Sequence, residues 1–600
     1  MKKSVTMRAF KVYGAYNPKY FPLKFLQILF HNCAPYFNLW LSSEIVNALY
    51  EGRGRKEVYI LVAVTLIGNL IIHSMGALLY RNTDIQLKLL ENEEAAAFNR
   101  KVLSLDYNKL EDPKIRQHRR RIIENAWVNF YGVQQMRHRM EILMESLVNF
   151  AFGLMLFGEM LSAILRVGFQ KTGVLLLAAM LVCIGLNVVW NFIYDRRLSL
   201  YRAKIGEEML EENRLGNVAN TSGLDSRVYR QQDLINKLDE KCNKKHLEVF
   251  TEAQRKGFLY SIPSEAVLLA MNLCAYLIVV FYCVQGAFPV GSVIKYVGYL
   301  GRFTGSIGNF FRLISGMKDN EPYLQTYLDF LDIKNDMYQG SLAVEKRSDK
   351  RYDIEFKNVS FRYPGAEEDA LKEINLKLKV GERLAVVGVN GSGKTTFIKL
   401  LCRLYDPSQG EIFMNDFNIR KYDYRQYLDI FSVVFQDYAL LAMSLGCNVA
   451  AAGSWDTKKA ERILEEVGFG ERYAQMEKKL DTPIYKNFDE DGVNVSGGEA
   501  QKIALARALY REAPFIILDE PTAALDPIAE AEIYSRFDRI VGDKTAIYIS
   551  HRLSSCRFCD RIAVFDKGRI VQIGTHEELL ADVKGRYFEL WHAQAQYYER

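Results

Sequence analysis

Apolar residues are unevenly spread along this 600-residue chain. Up to about residue 320 they form long blocks; beyond it they fall into short runs separated by polar turns. Six blocks are long enough to be considered as membrane helices: near 21–45, 58–80, 142–165, 172–194, 263–286 and 289–317. At ~1.5 Å rise per residue, ~20 residues cross a ~30 Å hydrocarbon core. The second, fourth and fifth blocks are nearly free of charge, whereas the first, third and sixth carry polar residues. The pattern predicts an α-helical membrane domain of six transmembrane helices.

The connections between blocks are unequal. Short loops such as RVGFQK and QGAFPVG join the third block to the fourth and the fifth to the sixth, and the first to the second is also short. Long charged stretches without Pro/Gly-rich linkers separate the second from the third and the fourth from the fifth. Both are rich in Lys and Arg, with Arg116, Arg119, Arg120 and Arg121 in the first. That charge bias puts both stretches, with the N-terminus, on the cytoplasmic side. The simplest geometry runs the membrane helices on into the cytoplasm and turns them back near 106–113 and 216–229. Those turns are candidate docking points for the soluble half.

Near residue 352 the period changes to the alternation of a strand, in IEFKNVSFRY. RLAVVGV is a short buried β-run that leads into Gly388-Val389-Asn390-Gly391-Ser392-Gly393-Lys394-Thr395-Thr396, and TFIKLLCRLY then reads as helix. Strand, GxxxxGK[ST] and helix in that order are the context of a phosphate-binding P-loop. Gly388, Gly391 and Gly393 let backbone N–H groups around Asn390 and Ser392 face phosphates, and the helix N-terminus at Lys394–Thr396 adds its dipole. Lys394 would reach the β- and γ-phosphates, and the Thr395 hydroxyl would ligate Mg²⁺. A second apolar run, PFIILDE, delivers Asp519 and Glu520 to a strand end. There Asp519 can hold Mg²⁺ through water and Glu520 can polarise an attacking water. Gln436, after IFSVVF, is placed to sense Mg²⁺ and the γ-phosphate; His551, after TAIYIS, ends another strand. Polar residues ending several buried strands mark the crevice where an α/β sheet binds its ligand. The fold class is therefore a membrane α-helical domain over 1–320, a linker over 321–351, and an α/β P-loop ATPase domain over 352–600.

Composition adds exclusions. A net charge of +6 over this length gives no support to a nucleic-acid partner. The nine Cys are scattered and odd in number, which argues against a disulfide framework. Cys556 and Cys559 have CxxC spacing without a second ligand pair, and read as two thiols on a helix. MKKSVTMRAFK is basic, but no short apolar region follows it, so a cleaved signal peptide is not expected.

These motifs resemble those of the ATP-binding-cassette (ABC) transporters of exporter type, as a half-transporter with fused membrane and ATPase domains. Over 353–585 the likeness is dense. Tyr363 in FRYPG resembles the aromatic residue that stacks on adenine, GVNGSGKT the Walker A loop, and Gln436 the Q-loop. VSGGE at Val495–Glu499 resembles the family signature, FIILDE Walker B, Ala523–Asp526 the D-loop, and SHR around His551 the His switch. Over 1–320 the likeness is one of topology, and by analogy the two cytoplasmic turns are coupling helices.

The resemblance implies a head-to-tail dimer in which each ATP, with Mg²⁺, lies between the P-loop of one subunit and the signature loop of the other. Ser496, Gly497 and Gly498 would bind the partner's γ-phosphate, and Asp526 would line the same site. The partner would be a second half-transporter, the same chain or a paralogue. The setting would be the lipids of a bacterial plasma membrane, with the N-terminus and ATPase domain cytoplasmic. The signature departs from Leu-Ser-Gly-Gly-Gln at Val495 and Glu499. Glu499 brings a carboxylate near an anion and would slow closure on ATP if it faced the site. Lys502 stands where Arg is common and keeps the charge.

The implied function is ATP-driven export of an amphipathic peptide, lipid or drug. The alternatives are an importer with an exporter-like fold and an ATP-gated channel or regulator. Fused spans disfavour importers with separate membrane chains and soluble ABC proteins. Among polar residues in the spans (His31, Asn32, Asn69, His73, Asn187, Asn191, Asn272, Arg302), most are expected to bond between helices. Arg302 is the candidate substrate contact, with snorkelling to the inner interface as the alternative.

Replacing Cys556 and Cys559 together by Ser should leave ATP hydrolysis within about twofold of the native rate. Zinc held by the native protein and lost from the variant, measured by metal analysis, would contradict this.

Overall fold

The structure, a computed structural model, describes residues 4–128, 131–221, 223–345, 352–520, 541–542, 544–550 and 553–595. The chain divides into two compact units, Met1–Leu105 with Pro113–Lys334, and Asp106–Asp112 with Asn335–Arg600.

The first unit is helical throughout its described elements. A short α1 (Val5–Tyr16) precedes α2 (Tyr20–Tyr50) and α3 (Arg55–Ser104). After α4 (Tyr107–Glu111), which belongs to the other unit, come α5 (Pro113–Val128), α6 (Val133–Val167), α7 (Lys171–Thr221), α8 (Gly223–Val228), α9 (Gln232–Val284) and α10 (Ser292–Asp332). At ~1.5 Å per residue, α3, α7 and α9 are each roughly 75–80 Å long, far beyond a ~30 Å hydrocarbon core. This is the extended geometry that the charged stretches predict.

Packing pairs α2 with α3, α6 with α10, and α7 with α9. The core of this bundle is aromatic, with Tyr36, Tyr282, Tyr296 and Tyr299 buried beside Ile278 and Val279. Gly153 of α6 allows the close approach of α10, since a Cβ there would lie 2.4 Å from the Phe303 ring. Of the polar residues expected to bond between helices, Asn69 does so, its Nδ2 donating to Asn38 Oδ1 at 2.6 Å, whereas Asn191 Nδ2 donates within α7 to Asn187 Oδ1 at 2.8 Å; Tyr299 OH also donates to the Tyr36 carbonyl at 3.2 Å.

Among the described residues, four helices are long enough and apolar enough to cross a membrane: Arg55–Ser104, Val133–Val167, Lys171–Leu198 and Gln232–Val284. The other two expected spans exist as the helices α2 and α10 but fall short in apolarity. The reason is their polar content, with Lys24, His31, Asn32 and Glu44 on α2 and Lys295, Arg302 and Asn309 on α10. The apolar window of α3 has no buried residue; Ile60, Leu66, Ile67, Leu70 and Ile71 are all exposed. Water would not tolerate so continuous an apolar face, so it must meet lipid or another chain.

The second unit is α/β. Its small sheet has the order β2-β1-β4-β5, built from β1 (Ile354–Phe361), β2 (Leu371–Leu378), β4 (Gln409–Met414) and β5 (Phe417–Asn418), all antiparallel. The large sheet has the order β10-β9-β3-β8-β7-β6. Its strands are β3 (Arg383–Val387), β6 (Phe431–Val434), β7 (Phe515–Asp519), β8 (Thr545–Ile549), β9 (Arg561–Asp566) and β10 (Arg569–Gly574). Pairs β9–β3, β3–β8, β8–β7 and β7–β6 are parallel, and β10 runs antiparallel at the edge. β7 and β8 are buried at every position, which is why they read as unbroken apolar runs. By contrast β2 alternates, since one face of the small sheet is solvated.

The first expected turn, 106–113, lies almost wholly in this unit. Asp106 is buried and its carboxylate accepts from Met337 N at 3.0 Å and Gln339 Nε2 at 3.4 Å. Its own N–H donates to Asn335 Oδ1 at 2.9 Å, Lys109 pairs with Asp336, and Tyr107 meets Tyr405 edge-on at 5.6 Å. The second turn, around α8, carries Val228 and Tyr229 almost fully exposed.

Asp106→Ala removes an acceptor from buried donors, which costs about 1–3 kcal/mol. It should loosen α4, read as faster proteolysis near residues 105–113 and a lower melting temperature. Unchanged cleavage and melting would show that this carboxylate does not hold the turn.

Candidate nucleotide-binding site

Parallel pairing sets the C-terminal ends of β3, β8, β7 and β6 along one edge of the large sheet. The loop after β3 turns into α11 (Lys394–Leu401), with Gly393 at its N-cap in a left-handed conformation at φ 107°. A Cβ at Gly388 would lie 2.2 Å from the Phe565 carbonyl oxygen, so only glycine lets the loop pass β9 this closely. The result is a backbone cradle at a helix N-terminus, an anion site by geometry.

Lys394 is buried and folds back over the loop, with Nζ donating to the Gly388 carbonyl at 2.9 Å and the Val389 carbonyl at 3.1 Å. Burial holds its amine below the usual lysine range, opposed by the charges of Glu520 and Asp519. Thr395 Oγ1 donates to Asp519 Oδ2 at 3.3 Å. Burial, and then the charge of Glu520, push the Asp519 carboxyl up to about 6. The other Asp519 oxygen, Oδ1, is buried with no hydrogen-bond partner, and so is Ser392 Oγ. An orphaned carboxylate oxygen beside a hydroxyl and a second carboxylate is a donor set that fits a hard divalent cation.

Glu520 has φ 50°, a strained backbone for a non-glycine residue, and is pinned there by its N–H to the Ile549 carbonyl at 3.0 Å. Its Oε2 accepts from Gln436 Nε2 at 3.0 Å. The structure thus brings together Lys394, Thr395, Asp519, Glu520 and Gln436. Tyr363 joins through a hydrogen bond of 3.1 Å between its hydroxyl and Thr396 Oγ1, and packs edge-on against Phe361 and Tyr405. His551 and Asp526 lie outside the described residues.

After the short helices α12 (Tyr424–Asp429), α13 (Leu445–Ala450), α14 (Thr457–Glu466) and α15 (Gly470–Ala474), the signature segment forms the N-terminus of α16 (Gly497–Tyr510). Ser496 Oγ accepts from Glu499 N at 3.2 Å, and Glu499 Oε2 accepts from Ser496 N at 2.8 Å, a closed capping box. Glu499 Oε1 also lies 3.1 Å from Arg472 Nε. Glu499 is therefore turned back onto its own helix end and partly neutralised. Lys502 Nζ donates to the Gly468 carbonyl at 2.9 Å. Among the described residues, no hydrogen bond or ion pair joins Ser496, Gly497 or Gly498 to the P-loop of the same chain.

Two residues were missed by sequence reasoning. Gln501 is buried on α16 and donates from Nε2 to the Glu520 carbonyl at 3.2 Å, so the signature helix touches the strained residue directly. Its signal was a lone polar residue on the buried face of IALARAL. Tyr438 OH donates to the Gly497 carbonyl at 3.2 Å, tying the Gln436 segment to the signature turn. Among the described residues Cys556 and Cys559 form no disulfide; Cys556 is buried, and burial pushes the Cys559 thiol up to about 12, away from thiolate chemistry.

The sequence profile of the ABC transporter family matches residues 371–523. Subtilin transport ATP-binding protein SpaT of Bacillus subtilis is 38% identical over 359 residues, which is 59% of this chain and 58% of that protein. The ATP-dependent lipid A-core flippase of Yersinia pestis is 39% identical over 271 residues, 44% of this chain and 45% of the flippase. The chain thus spans about half the length of these curated relatives. A solved structure of a bacterial Atm1-family ABC exporter with ATP bound superposes with a TM-score of 0.75, covering 95% of this chain and 97% of that one at 19% identity. Residues 371–523 therefore match the ABC transporter family, and the chain as a whole has the fold of that Atm1-family ABC exporter structure.

Proposed function

We propose that the protein is an ATP-driven exporter of an amphipathic substrate, embedded in a bacterial plasma membrane with its ATPase domain cytoplasmic. It works as a dimer of half-transporters, the partner being a second copy or a close paralogue. One observation supports this most: a chain with lipid-compatible exposed helices also carries a P-loop corner, and among the described residues Ser496, Gly497 and Gly498 of the signature turn make no bond to the P-loop. A turn with free anion-binding capacity needs a phosphate from elsewhere, and a second chain's ATP supplies one. The names of the relatives, a subtilin transport protein and a lipid A-core flippase, favour export over import.

In this reading, ATP entering the P-loop draws Lys394 Nζ off its two carbonyls onto the β- and γ-phosphates. Adenine stacks on Tyr363. Thr395 Oγ1, Asp519 and Gln436 would hold Mg²⁺, Asp519 through water; when bound, the ion neutralises phosphate charge. Gln436 leaves the Glu520 carboxylate to do so, which frees Glu520 to polarise the attacking water. Ser496, Gly497 and Gly498 at the N-terminus of α16 grip the γ-phosphate of the partner's ATP, where the helix dipole favours negative charge. Asp526 and His551 complete the site. Glu499 does not repel that phosphate, because Ser496 N and Arg472 hold its carboxylate. ATP then acts as an adhesive between subunits, and hydrolysis removes it. A channel or regulator would hydrolyse ATP without substrate-stimulated flux into vesicles.

Glu520→Gln should slow hydrolysis by roughly 10²–10⁴ while leaving ATP bound. Nucleotide retained through gel filtration should rise, in a closed dimer. Turnover at the native rate would take Glu520 out of the catalytic role.

Ser496→Ala should act on closure instead. In a dimer of identical chains it should largely abolish hydrolysis without nucleotide retention. Substantial activity from a verified dimer of the variant alone would contradict the shared site.

A further inference from the structure

We infer that the exported molecule is an amphipathic anion, an apolar body carrying a phosphate or carboxylate, and that Arg302 of α10 is its counter-charge in the membrane unit. The inference rests on the export reading above. The charged residues in the stretches 142–165 of α6 and 289–317 of α10 are Glu145, Glu159, Lys295, Arg302 and Arg312. Lys295 is buried and its Nζ lies 2.7 Å from Glu159 Oε1, with Tyr296 OH donating to the same oxygen at 3.4 Å. That pair cancels. Arg302 is exposed, and among the described residues no carboxylate lies within ion-pair distance of it. Glu145 of α6 makes no such pair either.

Snorkelling does not describe its position. The guanidinium lies over the Tyr36 ring, 5.6 Å from its centre. Tyr36 is itself buried, stacked on Phe152 at 4.8 Å and donating to Asn149 Oδ1 at 3.3 Å. The neighbouring Phe303 stacks on Phe150 at 5.3 Å. All these α6 partners lie in its apolar stretch 142–165. Arg302 is thus held against aromatic walls inside the apolar layer, with its charge uncancelled. A lasting cation there is unfavourable without a counter-anion, and a guanidinium suits planar, bidentate binding of phosphate or carboxylate. The flanking rings suit an apolar body.

A second observation points the same way. On α5, Lys114, Arg116, Arg119, Arg120 and Arg121 are exposed, and Arg120 pairs with Glu124 at 2.6 Å. α5 rests on α10 through His118 Nε2 and the Thr326 carbonyl at 2.8 Å. Thr326 lies nine residues beyond the apolar stretch 289–317, roughly 14 Å along the helix. A cationic surface there raises the local concentration of an anion arriving from the cytoplasm.

The test uses the full chain in phosphatidylcholine nanodiscs, with binding by native mass spectrometry and ATPase stimulation as readouts. The probes are lysophosphatidic acid, oleate, lysophosphatidylcholine and dodecyltrimethylammonium. The native protein should bind lysophosphatidic acid or oleate about tenfold more tightly than the zwitterionic and cationic probes. Which of the two binds better separates phosphate from carboxylate. Arg302→Gln should lose that preference and Arg302→Lys should keep most of it, which separates charge loss from misfolding. Equal binding of all probes, or an undiminished preference in Arg302→Gln, would overturn the inference while leaving export standing. If no amphiphile binds or stimulates although ATP is hydrolysed, the export reading fails with it.

Discussion

Lys394, Asp519 and Glu520 place one positive and two negative charges in a largely buried corner at the ends of β3 and β7, and most of the second unit exists to hold them there. The arrangement is costly on its own. Burial works against the charged forms of Lys394 and Asp519, one oxygen of Asp519 has no partner, and the backbone of Glu520 is strained. Parallel strands that are buried on both faces over-determine the geometry. In the proposed function a nucleotide and its cation would occupy this corner, phosphate meeting the Lys394 amine and the cation meeting the unpartnered oxygen of Asp519.

The signature turn extends the same logic to a second chain. Its capping box turns the Glu499 carboxylate back to Ser496 N, so a substitution that looks electrostatically adverse leaves the anion-binding end of α16 open. Gln501 and Tyr438 tie that end to Glu520 and to the Gln436 segment. In the proposed function, a phosphate held at the turn would be linked through these bonds to Glu520 and Gln436, the residues proposed to position the attacking water.

The P-loop, the Asp519-Glu520 pair and Gln436 were legible in the sequence because each follows an unbroken apolar run that could only be a buried strand. The long helices were legible because the charge-rich stretches between the apolar blocks hold no Pro/Gly-rich linker. What was not legible depended on long-range contact. Gln501 and Tyr438 sit in helical and loop context with no periodic signal for the bonds they make. Whether Glu499 faced the anion or its own helix was a rotamer question that only coordinates answer. The membrane helices were legible in position, yet α2 and α10 fall short of the apolarity of the other four because they carry side chains such as Arg302 and the Lys295 partner of Glu159.

That a working site is divided between two chains is the centre of this account, and subunit mixing tests it most directly. Lys394→Ala disables the P-loop and Ser496→Ala the signature turn, so each variant alone should hydrolyse almost no ATP. When the two are co-reconstituted and allowed to exchange, each mixed dimer holds one site with an intact P-loop and an intact signature turn. The account predicts that ATP hydrolysis returns in the mixture. A mixture as inactive as its components, under conditions where subunit exchange is demonstrated and the native chain alone is active, would contradict it.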